Sequence, residues 1–190
     1  VTPYYNKATQ NGLYEHYRAI ATQTDQPVIM YNVPSRTGCN LLPQTAARIA
    51  QDCPNIVGIK EASGNLSQVA HLAKLTQGRL AIYSGNDDQI VPVLSLGGVG
   101  VISVLSNVVP KETHEMVDSF LNGDLITARK LQLNYLDLIE ALFSEVNPIP
   151  VKAAMRLLGY PVGGLRLPLT ELEEEHYKEL TEVMDRHHLL

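Results

Sequence analysis

Short apolar runs alternate with amphipathic stretches along most of the chain. Residues 11–23 place Leu13, Tyr17, Ile20 and Ala21 on one face, the spacing of a helix packed on one side. Residues 26–33 carry Val28-Ile29-Met30-Tyr31 and stop at Pro34, which predicts a buried strand. Pro43 suits a first helical turn, and Ala46, Ala47, Ile49 and Ala50 follow on one side. Residues 55–59 predict a second strand that delivers Lys60. Asn65 can cap the next helix, with Leu66, Val69, Ala70 and Ala73 facing inward. Residues 80–83 predict a third strand ending at Ser84-Gly85, residues 90–96 a short helix, and residues 100–104 a fourth strand. Pro110 opens a further helix with Met116, Val117, Phe120 and Leu121 on one face. Residues 1–5, Val-Thr-Pro-Tyr-Tyr, read as the end of a strand that precedes all of these, with no initiator Met. The chain therefore reads as one whose beginning lies upstream.

Strands that are apolar on both faces and separated by helices imply a parallel sheet covered on both sides. A closed (β/α)8 barrel and an open doubly wound sheet both fit this rhythm. The alternation stops at Gly123-Asp124, and beyond it the pattern is helical. Residues 124–144 place Leu125, Ala128, Leu131, Tyr135, Leu138, Leu142 and Phe143 at helical spacing. Asn147-Pro148-Ile149-Pro150 interrupts that pattern, and residues 151–158 predict another helix closed by Gly159. Thr170-x-x-Glu173 has the form of a capping box for a last helix. These signals divide the chain into an α/β part, residues 1–122, and a helical part, residues 123–190.

Composition narrows the function classes. Hydrophobic residues make up 45% and charged residues 18% of the 190, a globular balance that argues against disorder. The net charge of −5 and the scattered Lys and Arg argue against a nucleic-acid partner, which needs a basic face. No apolar run approaches a membrane span, so no membrane partner is expected. Cys39 and Cys53 are too few for a disulfide framework, and a reducing, cytoplasmic setting is expected. The six histidines form no H-E-x-x-H or similar set, so no metal site is expected. His187-His188 reads as a solvated terminal pair, and Glu171 to Glu175 as a solvated acidic face. Gly97-Gly98-Val99-Gly100 lacks the spacing of a phosphate loop and reads as a tight turn.

The sharpest chemical signal is Lys60, at the end of an apolar strand and followed by Glu61-Ala62-Ser63-Gly64. In α/β sheets function gathers at the carboxyl ends of strands. A lysine desolvated there loses its proton more readily and can attack a carbonyl. The plainer reading is a lysine that snorkels to water. Tyr31 ends the preceding strand, where a phenol can relay protons or simply pack in the core. Arg36 follows in the loop; a guanidinium there can clamp a carboxylate with two parallel bonds or lie on the surface. Tyr4 and Tyr5 end the first predicted strand, with the same two readings as Tyr31.

Five segments together resemble a known family. V-T-P-Y-Y at 1–5, Y-N-V-P-S-R-T-G at 31–38, G-I-K-E-A-S-G at 58–64, G-G-V-G-V-I-S-V at 97–104 and N-P-I-P-V-K at 147–152 resemble the dihydrodipicolinate synthase family, in that order. That family belongs to the pyruvate-dependent class I aldolases. The Tyr and Lys are shared across those aldolases, whereas the arginine of P-S-R-T-G is typical of the synthases.

The resemblance implies a (β/α)8 TIM barrel, present here as strands four to eight, followed by a C-terminal helical domain. Strands one to three, with a Thr-Thr motif that binds the pyruvate carboxylate, would precede Val1. It implies condensation of pyruvate with L-aspartate 4-semialdehyde in the diaminopimelate and lysine pathway. No cofactor is implied beyond a covalent imine between Lys60 and pyruvate. Tyr31 would relay protons, and Tyr5 would join the relay from a neighbouring subunit. Arg36 would hold the semialdehyde carboxylate, and Ile102 would set its backbone carbonyl near the imine. Tyr4 would lie near an inhibitor site for lysine. Asn86 and Asp87 end the third strand with no role assigned. The assembly implied is a homotetramer, a dimer of tight dimers. Two other readings stand beside it: a sugar-acid aldolase of the same class, or a shortened, inactive homologue that only assembles with intact subunits.

Overall fold

A computed structural model describes all residues, Val1–Leu190. The chain divides into two compact units, Val1–Ile102 and Ser103–Leu190.

The first unit is built on four parallel strands, β1 (Val28–Asn32), β2 (Ile56–Glu61), β3 (Ala81–Ser84) and β4 (Gly100–Val101), hydrogen-bonded in that order. Helix α1 (Gln10–Ala21) precedes β1, and a single turn, α2 (Pro34–Thr37), follows it. Helices α3 (Pro43–Asp52), α4 (Leu66–Thr76) and α5 (Ile90–Ser95) connect the strands. Local chemistry accounts for the helix starts. Thr9 caps α1 by accepting from the Gly12 amide, Pro43 sits in the first turn of α3, and Asn65 caps α4 by accepting from the Gln68 amide. Helix α1 buries Leu13, Tyr14, Tyr17 and Ala21, whereas Ile20 is left exposed. Tyr14 thus takes the place that the apolar pattern assigned to Ile20.

The core of this unit lies between the helices and one sheet face. Met30, Ile59 and Ile82 come from the sheet and meet Leu13, Ile49 and Leu72. The register pairs Tyr31 with Lys60 and Lys60 with Tyr83, so these three share the opposite face. On that face Ile29 is 43% exposed and Ile102 40%, so this chain covers its sheet from one side rather than two. A register shift between Val28 and Ile29 sets Val57 out of the alternation.

Residues 1–5 do not form a ladder strand. One backbone bond, from the Thr2 amide to the Tyr31 carbonyl at 3.1 Å, lays the segment beside β1. Pro3 has no amide to donate, and the chain then turns sharply. The Asn6 amide bonds the Tyr4 carbonyl at 2.9 Å, with Tyr5 at φ 68° between them.

The second unit contains α6 (Pro110–Leu121), α7 (Leu125–Asn134), α8 (Leu136–Leu142), α9 (Ile149–Leu157) and α10 (Glu174–Arg186). The division expected at residue 123 lies inside this unit, because α6 packs against α7. The helix expected over 124–144 is two helices that part at Tyr135. The Tyr135 ring stacks on His187 at 4.9 Å between centroids, and Asp137 accepts from His187 Nε2 at 2.8 Å. His187 is therefore a mostly covered, partnered side chain, not part of a solvated pair. The capping box is also corrected. Helix α10 begins at Glu174, and the amide of Glu173 donates to Glu145 rather than to Thr170. No helix of either unit is long and apolar enough to cross a membrane.

Candidate active site

Adjacent strand ends bring Tyr31 and Lys60 together. Register places them side by side on one face, and the Lys60 ammonium lies 4.5 Å from the centre of the Tyr31 ring. Both are half-buried. Burial is the main influence on Lys60 and holds its pKa below the usual 10.5; the Asp87 carboxylate opposes this and Arg36 adds to it. Burial likewise raises the Tyr31 phenol, and Arg36 opposes that shift. The pair is thus a lysine that gives up its proton more easily and a phenol that keeps its own.

Gly85 makes room for the lysine. A Cβ there would lie 3.0 Å from Lys60 Cε and 2.5 Å from Ala62 Cβ. Its amide donates to the Glu61 carbonyl at 2.8 Å, which fixes the turn after β3 against the end of β2. Asp87 lies in the next turn and is 2% exposed. Neither residue had a role in the sequence reading. The signal for Gly85 was its place directly after a strand end, beside the lysine's own strand.

Arg36 sits in the short α2 turn, exposed, and its charge reaches both Lys60 and Tyr31. The turn is closed by Gly38 in the left-handed conformation at φ 67°. The Thr37 hydroxyl has the Val33 and Cys39 carbonyls as acceptors for its one proton, and its oxygen accepts from Thr2 Oγ1 at 3.3 Å, linking this loop to the first segment. Ile102 comes directly after β4, its amide bonded to the Ser84 carbonyl at 2.9 Å. The structure brings Tyr31, Lys60 and the charge of Arg36 together. It does not bring in Tyr4 and Tyr5, which stand in solvent at 71% and 87% exposure.

Behind the site, on the helix-covered face, lies a polar cluster that the sequence reading did not foresee. Glu61, 3% exposed, accepts from Asn32 Nδ2, from the Ser63 amide at 2.7 Å and from Gln68 Nε2 at 3.2 Å. Elsewhere, Glu145, Glu173 and His176 present ligand atoms within 4.8 Å of one another. Their own contacts explain that closeness, since Glu145 Oε1 accepts from the Glu173 amide and meets His176 Nδ1.

Comparison with known proteins finds similarity along the whole chain. The model of the dihydrodipicolinate synthetase family matches residues 1–187. A 4-hydroxy-tetrahydrodipicolinate synthase of Lachnoclostridium phytofermentans is 61% identical over 186 residues, 98% of this chain and 63% of that protein. The synthase of Cyanidioschyzon merolae, solved with lysine bound, superposes with a TM-score of 0.97 at 46% identity, over 100% of this chain and 64% of the other. The chloride-inhibited synthase of Acinetobacter baumannii, solved in complex with pyruvate, superposes with a TM-score of 0.95 at 42% identity, over 100% of this chain and 65% of the other. The chain spans just under two thirds of the length of these relatives. A sequence match from residue 1 to 187 and backbones that superpose this closely lead to one assignment: the chain belongs to the dihydrodipicolinate synthetase family.

Proposed function

We propose that the protein is a 4-hydroxy-tetrahydrodipicolinate synthase, which condenses pyruvate with L-aspartate 4-semialdehyde on Lys60. The observation that carries this reading is the partly desolvated Lys60 ammonium set 4.5 Å over the Tyr31 ring. The neutral amine attacks the pyruvate carbonyl carbon, and loss of water gives an imine. Loss of a methyl proton gives an enamine, whose carbon attacks the aldehyde of the second substrate. Tyr31, a half-buried phenol beside the amine, carries protons through imine formation and cyclisation. Arg36, exposed in the turn after β1, holds the semialdehyde carboxylate. Ile102 sets its carbonyl toward the imine. This chemistry needs no cofactor beyond the imine itself.

In this reading β1 to β4 and the segment beside β1 are strands four to eight of a (β/α)8 barrel, with α6 the helix after the eighth. Residues 123–190 are then the helical C-terminal domain. The parallel order and the superposition on longer synthases support this. The exposed Tyr5 reaches a neighbouring subunit's site in a tight dimer, Tyr4 borders a lysine inhibitor site, and two such dimers form a tetramer in the cytoplasm.

The test is to incubate the protein with pyruvate, reduce with borohydride and map the modified peptide by mass spectrometry. A reduced pyruvate adduct on Lys60 is expected, and its absence overturns the mechanism. Arg36→Ala should leave that adduct intact while slowing condensation with the semialdehyde. An unchanged condensation rate would show that Arg36 does not hold the semialdehyde carboxylate.

A further inference from the structure

Lys60 and Glu61 are consecutive in β2 and so face opposite sides of the sheet. Lys60 faces the site, whereas Glu61 is buried beneath the connections with no lysine or arginine among its hydrogen-bond partners. Every hydrogen-bond partner of its carboxylate is a donor. Asn32 Nδ2 lies 3.3 and 3.0 Å from its two oxygens, the Ser63 amide 2.7 Å from Oε1, and Gln68 Nε2 3.2 Å from Oε2.

The remaining polar atoms close the network. Asn40 Oδ1 accepts from Asn32 Nδ2 at 2.9 Å and from Gln68 Nε2 at 3.1 Å, while Asn40 Nδ2 donates to Gln68 Oε1 at 2.9 Å. Asn32 Oδ1 accepts from the Leu41 amide at 2.9 Å. Three members have fixed polarity: the Leu41 and Ser63 amides only donate, and a carboxylate only accepts. They determine the orientation of all three side-chain amides.

What this network joins is the framework of the site. Asn32 is the residue after Tyr31, Glu61 the residue after Lys60, and Asn40 closes the loop that carries Arg36. The Ala62 amide donates to the Asn32 carbonyl at 2.9 Å, so main chain and side chains tie the same two strand ends. We propose that Glu61 is a positioning residue: as the common acceptor of a buried polar network, it holds the ends of β1 and β2 and the Arg36 loop in the arrangement that sets Tyr31 against Lys60. The inference rests on the Lys60 imine proposed above.

The experiment measures the rate of borohydride trapping of pyruvate on Lys60, with thermal melting of each variant alongside. Glu61→Gln keeps the shape but points an amide N–H at other donors. The expected loss in maximal trapping rate is about tenfold or more, the scale of one unsatisfied buried polar group. Leu72→Ala is the control, a buried truncation on α4 that lowers melting and removes no hydrogen-bonding group from the network.

The decisive variant is the double change Glu61→Gln with Asn32→Asp. The carboxylate moved to position 32 accepts from the Leu41 amide and from the side-chain amide introduced at position 61. Asn40 and Gln68 flip in response, so every donor again has an acceptor. The double variant should recover trapping to within about threefold of the wild type, as expected when no buried group is left unpaired. Wild-type trapping in Glu61→Gln overturns the inference. So does an equal loss in Leu72→Ala, or a double variant that folds but does not recover. If the wild type itself forms no adduct, the imine mechanism and this inference fall together; if it does and Glu61→Gln is indifferent, only this inference falls.

Discussion

Gly85→Ala tests the close approach that lets Lys60 stand where it does. The added Cβ would meet Ala62 Cβ at 2.5 Å, Ala62 Cα at 3.2 Å and Lys60 Cε at 3.0 Å. Carbon atoms prefer about 3.5–4.0 Å, so the turn after β3 must move from the end of β2 by about 1 Å. The Gly85 amide bond to the Glu61 carbonyl resists that movement. Lys60 can swing its flexible end aside, but Ala62 is buried and its Cα is backbone. Overpacking of this kind costs about 1–3 kcal/mol. For a chain of this size that is a fall in Tm of about 2–12 °C.

The functional effect should exceed the structural one. A displacement of about 1 Å at a reacting group can cost roughly 100-fold in rate, and here the displaced group is the lysine itself. Differential scanning fluorimetry and borohydride trapping with pyruvate read the two effects separately. Gly12→Ala is the contrast, because its Cβ would meet only Thr9 Oγ1 at 3.4 Å and Ala8 Cβ at 3.6 Å, both ordinary contacts at the start of α1. That change should raise stability by about 0.4–1 kcal/mol through the unfolded state. A Gly85→Ala protein that melts with the wild type and traps pyruvate at the wild-type rate would refute the reasoning.

Three further outcomes are expected. Tyr31→Phe should keep the melting temperature near that of the wild type but slow trapping by about 10²–10⁴-fold, the range for a lost proton relay; equal rates would remove Tyr31 from the chemistry. The pH profile of trapping should move with the charges around Lys60: Asp87→Asn removes the carboxylate that favours the ammonium and should shift the midpoint down, whereas Arg36→Ala should shift it up. Movement in the opposite direction, read from rates across alkaline pH, would contradict the charge assignment. In the second unit, the hydrogen bond to Glu145 raises His176 above its usual 6.5. The stability from that pair is fully present below 6.5 and is lost as pH climbs through the raised value. The Tm difference between the wild type and Glu145→Gln should therefore be larger in mildly acidic than in mildly alkaline buffer, and a difference that grows with pH would reverse the sign.

The strand positions were legible because parallel strands buried on a helix layer are runs of apolar residues with abrupt ends. Such a run locates the strand end to within a residue, and Tyr31 and Lys60 are the last but one residues of β1 and β2. The same logic failed for residues 1–5, where Pro3 withholds a donor and the chain turns at Tyr5. It also failed at Thr170. The spacing of a capping box is short and common, and at this helix the Glu173 amide is satisfied from Glu145, far away in sequence. A local motif predicts a cap only when no distant group competes for the same amide.

Glu61 is the more instructive omission, because its signal was present. Period two puts Glu61 in phase with Ile59, the residue that enters the core, and out of phase with Lys60. A carboxylate in the buried phase of a strand is costly unless donors surround it. The three amide side chains of its network, Asn32, Asn40 and Gln68, come from a strand end, a loop and a helix. No periodicity relates those positions, so no walk along the chain could assemble them. What the chain alone does offer is the conflict between the phase of Glu61 and its charge. Resolving that conflict demands a cluster of donors behind the lysine, which ties the precision of the reacting pair to residues on the far side of the sheet.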